Sequence, residues 1–167
     1  MRLYTLLLIT FTTFCTQVLT GQKSYFQQQV DYSIQVTLDD SMHRLTARVQ
    51  IDYTNHSPDT LRFIWFHCWP NAYKTEQTAF GQQLLENGDT RFYFSTPDQK
   101  GYINRFDFNV DGIAAQTEDH PEHFDIIKLI LPQPLPPNSS IRITTPFTVR
   151  SEEHTSELQS RQYLVCR

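Results

Sequence analysis

The sequence predicts an all-β protein, an antiparallel β-sandwich with a short helical or irregular excursion around 72–101. Three observations predict it. Apolar residues recur at every second position in four separate stretches, which is the period of a half-buried strand. Aromatic residues make up 13% of the chain, and such side chains suit a pleated surface. Glycine is scarce, at 5 residues, so the joints between stretches rest on Asn, Asp, Ser and Pro.

The elements follow in order. Val30, Tyr32, Ile34, Val36 and Leu38 alternate with mostly polar neighbours, Asp39-Asp40-Ser41 supplies a turn, and Leu45, Ala47, Val49, Ile51 and Tyr53 alternate again. Together they read as a long antiparallel hairpin. Asn55 to Asp59 is a loop, because Pro58 and short polar side chains favour turns over ladders. Leu61 to Trp69 is nearly all apolar, which suits a central strand covered on both faces. Thr78 to Glu86 tolerates a short helix that Asn87-Gly88 would stop. Phe92 to Ser95 reads as a short aromatic strand. Phe106, Phe108 and Val110 alternate up to a hairpin signal at Asp111-Gly112. Phe124 to Leu131 is another strand, whereas Pro132 to Asn138 is too Pro-rich for a central one. Ile141, Ile143, Thr145, Phe147 and Val149 alternate last. Strands at such spacing, joined by polar turns, make a sandwich.

The bulk numbers bound the function. With 167 residues there is room for one domain. Hydrophobic residues at 39% against 19% charged suit a folded domain rather than a disordered tail. A net charge of -4 with no basic run argues against a nucleic-acid partner, which requires a concentrated basic face.

Both ends differ from the middle. Residues 1–21 have a basic start, a short apolar stretch and a small-polar close, the order of a secretory signal peptide. The apolar stretch is too short and Thr-rich for a comfortable membrane span. The other readings are an uncleaved anchor and a lipoprotein using Cys15, the latter disfavoured by the bulky Phe14 before it. The expected location is therefore secreted or periplasmic, and membrane-associated if the signal is uncleaved. Residues 150–167 begin RSEEHTSELQS, which resembles an in-frame translation of a sequencing-library adapter; the alternative is an acidic helical tail. The organisation expected is a signal peptide at 1–21, an incomplete β-sandwich domain at 22–149 and an artefactual tail at 150–167. Of the 3 cysteines, Cys15 lies in the signal and Cys166 in the tail. Cys68 is then alone in the folded part, so no disulfide framework is available. In its apolar run it reads as a small buried hydrophobe rather than a nucleophile.

A search for chemistry returns little. A zinc-peptidase helix needs H-E-x-x-H, so that two His face one side and the Glu can act as base; the string is absent. His120-Pro121-Glu122-His123 comes closest, but its spacing is wrong and Pro121 makes it a surface turn. G-x-S-x-G and Gly-rich phosphate loops are absent too. Asp39-Asp40 and Glu152-Glu153 read as solvated charge. Phe63, Trp65, His67 and Trp69 would share one strand face. They form either an aromatic platform for sugar or peptide, or a sandwich core with a hydrogen-bonded histidine at its rim; the core is favoured because aromatic stripes usually fill cores. Asn55-His56-Ser57 and Asn138-Ser139-Ser140 match the glycan-acceptor triplet, a pattern that arises easily by chance.

Several segments together resemble one family. They are Tyr25 to Tyr32 (YFQQQVDY), Tyr53 to Leu61 (YTNHSPDTL) and Ile64 to Tyr73 (IWFHCWPNAY). Thr78-Ala79-Phe80, Phe92 to Ser95, Gly101-Tyr102-Ile103 and Thr144 to Phe147 continue the match. From Ser24 to Val149 the chain resembles the opening of secreted bacterial zinc metallopeptidases of the aminopeptidase N type, especially their Bacteroidetes branch. Cys68 departs from the larger apolar residue expected there. The resemblance implies a non-catalytic β-sandwich packing beside a thermolysin-like catalytic domain. That domain would hold the zinc, bind peptide substrates and be this sandwich's partner. Its zinc-ligand, base and Gly-x-Met-Glu-Asn motifs are all missing here, so no catalytic, cofactor-binding or metal-ligating residue is assigned. The rival expectation is a stand-alone secreted sandwich that binds a ligand or surface through the Trp65 to Trp69 stripe.

Overall fold

The computed structural model describes residues 25–151. The reading of 1–21 as a signal and, past Ser151, that of 150–167 as a tail, with Cys15 and Cys166, lie outside the described residues; Arg150 is the last residue of a strand.

The long hairpin forms as the alternation predicts. Strand β1 (Gln29–Asp39) pairs antiparallel with β2 (Arg44–Thr54) in eleven unbroken steps, from Gln29 opposite Thr54 to Asp39 opposite Arg44. Asp39 builds the turn: its Oδ1 accepts from Ser41 Oγ at 2.7 Å and from Met42 N at 3.1 Å. β3 (Leu61–His67) follows, then a 3-10 turn at Trp69–Tyr73. Helix α1 (Ala79–Glu86) starts at Thr78, whose side chain accepts from Gly81 N, and ends at Asn87 and Gly88, where φ turns to +80°.

The rest of the chain supplies short pieces and two long strands. β4 (Tyr102–Asn104), β5 (Asn109–Val110), β6 (Ile113–Ala114) and β7 (Thr117–Asp119) are short. β8 (Ile126–Leu135) and β9 (Ser140–Arg150) are long. The Asp111-Gly112 turn between β5 and β6 has φ of +50° and +83°, the paired positive values that match a hairpin's twist.

These strands make two sheets. The large one runs β1-β2-β9-β5-β6, with β4 also on β9; the small one runs β3-β8-β7. All the pairings are antiparallel. Alternate residues of β2 (Ala47, Val49, Ile51, Tyr53) and of β9 (Ile143, Phe147) meet Ile64, Phe66, Ile127, Leu129 and Leu131 in one core, with Leu129 and Ile143 wholly buried. Cys68 is in that core, as its apolar surroundings predicted. The expected sandwich is the fold, and 72–101 is the expected excursion from it.

Four expectations change. β3 is an edge strand of its sheet, not a central one; β8 is central. The odd residues Phe63, Trp65 and His67 face outward, and Ile64, Phe66 and Cys68 fill the core. Phe92 to Ser95 is a pair of local turns rather than a strand. Among the described residues no strand runs beside it, so the backbone bonds to itself (Phe94 N to Thr90 O, Ser95 N to Phe92 O), and Phe92 packs against Phe80 of α1. Finally, β8 runs through Pro132 and Pro134 to Leu135. β7 pairs only with Ile127 to Leu129, so the prolines fall where β8 has lost that neighbour and no donor is required.

Candidate functional site

The outward face of the small sheet gathers the aromatic and histidine side chains. Trp65 stands edge-on to Phe63, with centroids 5.8 Å apart, and 5.4 Å from the ring of His120. His120 stacks on His123 at 4.7 Å, and His67 lies 4.1 Å from Trp69. Register explains the cations. Lys128 of β8 is directly opposite Trp65 on one side and Glu118 of β7 on the other. Its Nζ donates to Glu118 at 2.9 Å and sits 4.9 Å from the Phe63 centroid and 5.9 Å from that of Trp65. The lysine therefore covers the rings with its stem and charge. This is how an aromatic stripe stays on the outside of a sandwich.

His67 and Asp125 come together across 58 positions of sequence. His67 Nε2 and Asp125 Oδ2 are 2.7 Å apart, and the Asp125 carbonyl accepts from Cys68 N. A histidine held by a carboxylate becomes a general base for acyl transfer only with a nucleophile in reach. The neighbouring thiol, Cys68, turns its side chain into the core. The pair fastens the end of β3 to the loop between β7 and β8. That loop contains the 120–123 string, a surface turn as expected: His120 Nδ1 accepts from the amides of Glu122 and His123. Among the described residues no three His, Cys, Asp or Glu side chains converge as a metal site would require.

A second set of polar residues is buried at structural joints. Asn55 is fully buried where the chain crosses between the sheets. Its Nδ2 donates to the carbonyls of Asp59 (2.8 Å), Leu135 (3.2 Å) and Pro136 (3.2 Å). Its Oδ1 accepts from Ser57 N, Ser57 Oγ and Gln28 Nε2. One amide thus ties both crossings, from β2 to β3 and from β8 to β9. Asn71 Oδ1 accepts from Ile103 N at 3.0 Å, pinning the 3-10 turn to β4. Thr78 caps α1 and donates to Ala72 O at 2.6 Å. Thr145 Oγ1 accepts from Asp107 N where β9 passes from β5 to β4. Of the two glycan-acceptor triplets, burial closes Asn55 to a glycan, and only Asn138, in an exposed turn with φ +58°, is accessible.

The sequence singled out Trp65, His67 and Trp69 as sharing one strand face; the structure sets Trp65 against Phe63 and His120, and His67 against Trp69, which opens the 3-10 turn after the strand has ended. Sequence reading missed Asp125, Glu118 and Lys128, whose approach depends on strand register. It also missed the joint residues, for which the only signal is a short polar residue inside an apolar context.

No family model matches the chain, and no curated protein matches it either. Among solved structures the chain is similar to a mutant of the M1 zinc metallopeptidase from Deinococcus radiodurans. The identity is 12% and the TM-score 0.44, covering 75% of this chain and 21% of that one. The same mutant with a Tyr-Ser-Ala substrate bound matches at 12% identity and a TM-score of 0.45, covering 79% and 23%. The chain spans less than a quarter of the length of these structures.

Proposed function

We propose that residues 22–149 are the N-terminal, non-catalytic sandwich of a secreted zinc aminopeptidase, and that 1–21 is its signal peptide. In the full-length protein a separate domain carries the zinc, which activates water for hydrolysis of N-terminal residues. This sandwich is the wall beside that site. One observation carries the reading: the residues that resemble the family are used for architecture. Asn55 and Ser57 lock the crossings, Asn71 and Thr78 dock the excursion, and Thr145 closes the gap in the large sheet. Buried polar residues that hold the backbone together support a scaffold role. The test is the genomic reading frame downstream of Val149. The proposal expects H-E-x-x-H followed by a ligand Glu; a stop codon soon after Val149 rules it out.

A second reading rests on the aromatic face lying outside the core. A stand-alone sandwich would present Phe63 and Trp65 to a sugar or peptide. Titrating oligosaccharides and short peptides against tryptophan fluorescence tests it, with loss of the signal in Trp65→Ala as the expected support. Lys128, already placed over both rings, weighs against it.

A further inference from the structure

The two sheets differ in width, and the mismatch falls on one side. The large sheet continues past β2 to β1, while the small sheet stops at β3. Through the β1–β2 register, Ile34, Val36 and Leu38 share the face of Val49, Ala47 and Leu45, the face turned toward the core. Yet they are 44%, 53% and 65% exposed, increasingly so toward the hairpin end. An ordinary outer strand buries one of its two faces; β1 leaves both open along this half.

The opposite wall is open as well. β3 is the last strand of its sheet, so among the described residues its outer edge has no strand partner. Between β3 and the start of β1 runs a groove of about 850 Å³, with Tyr25, Phe26 and Tyr53 on one wall and Leu61, Phe63 and Trp65 on the other. Further along, Tyr32, Ile51, Phe66 and Phe147 line a smaller and almost wholly apolar cavity. An added strand would lie about 4.8 Å beyond β3, and facing sheets pack about 10 Å apart. A strand on the edge of β3 would therefore stand over the inner face of β1, and a single element would close both openings.

We infer that the cleft between β1 and β3 seats a further strand, supplied by the polypeptide that follows Val149 in the full-length protein. This rests on the reading of the chain as one part of a longer protein. The strand extends the small sheet past β3 and lays alternate apolar side chains over Ile34, Val36 and Leu38. Two features argue for that source. β9 ends beside the β1–β2 turn, with Val149 opposite Leu45; polypeptide continuing from there starts at the most exposed end of the stripe. The residues lining the two cavities include no Lys or Arg and one carboxylate residue, Asp59, so the walls suit an uncharged, alternating strand.

The test is hydrogen–deuterium exchange on this chain and on the full-length protein from the uninterrupted frame. The outward amides of β3 should exchange about 100-fold more slowly in the full-length protein, as amides newly bonded within a sheet become protected. The pair Ile34→Ser/Val36→Thr should raise the solubility of this chain and lower the Tm of the full-length protein. Equal exchange in the two proteins, with H-E-x-x-H present downstream, overturns the strand and leaves the aminopeptidase reading standing. Protection without that motif supports the strand and removes the zinc reading. Protection in this chain alone, lost on dilution, makes a second copy the occupant and overturns the inference. A stop codon soon after Val149 overturns both.

Discussion

Replacing Asn55 by Ala should cost this domain a large share of its stability. The side chain is fully buried and makes six hydrogen bonds. Not all of its partners are orphaned by the change. Asp59 O still accepts from Ser57 Oγ, and Pro136 O from Ser139 N. The Ser57 amide loses its acceptor and the Leu135 carbonyl loses a donor. Each buried group left unpaired costs about 1–3 kcal/mol, and the vacated volume adds to that, so a loss of about 3–5 kcal/mol is expected. Domains of this kind have about 5–15 kcal/mol in all. Urea unfolding followed by tryptophan fluorescence measures the difference. Asn55→Asp sharpens the test. It keeps an acceptor for Ser57 but turns a carboxylate toward three carbonyl oxygens, which raises its folded pKa above the unfolded value. The protonated form is favoured in the fold, so stability is higher at low pH and falls as pH rises through the unfolded value toward neutrality. A loss below about 1 kcal/mol for Asn55→Ala, against the range for one orphaned group, would refute the claim that this amide locks the two crossings.

Three further outcomes follow from single contacts. Gly81→Ala should destabilise even though Ala is the better helix former by about 1 kcal/mol, because its Cβ would lie 2.6 Å from the backbone oxygen of Glu76; a rise in Tm would show that the segment yields easily. The Cys68 thiol, 3% exposed in the core, should react with a thiol reagent only as fast as the domain unfolds; prompt labelling of the native chain in a Cys15→Ser/Cys166→Ser background would contradict the packing. The Asp89 carboxyl, bonded first to the Arg91 side chain and then to its amide, is held down at about 2 from an ordinary 3.8. Its contribution to stability is present above pH 3.8 and lost as pH falls through about 2; an NMR titration midpoint near 3.8 would show that the Arg91 contact does not persist in solution.

Long strands were legible in the sequence because each has a face that alternates. Val30 to Leu38, Leu45 to Tyr53 and Ile141 to Val149 all appear within a residue or two. Pieces of two or three residues, such as β4 and β7, are too short to show a period and depend on partners elsewhere: Asn71 holds Ile103, and β8 holds β7. The run Leu61 to Trp69 was ambiguous for a different reason. Both of its faces are apolar, so alternation could not say which side is the core. Lys128 and the 120–125 loop decide it, and their position depends on a register that no local pattern encodes. The His67–Asp125 contact was invisible on the same ground. The uncovered half of β1 was legible only as strand; its exposure follows from where the small sheet stops.

The proposed scaffold role places the chemistry elsewhere in a longer polypeptide. The direct measurement is release of p-nitroaniline from aminoacyl-p-nitroanilides, with zinc supplied, by this chain and by the full-length protein side by side. No turnover is expected from the chain, and turnover that a chelator abolishes is expected from the full-length protein. Zinc-dependent hydrolysis by residues 25–151 alone, or none by the full-length protein, would contradict it.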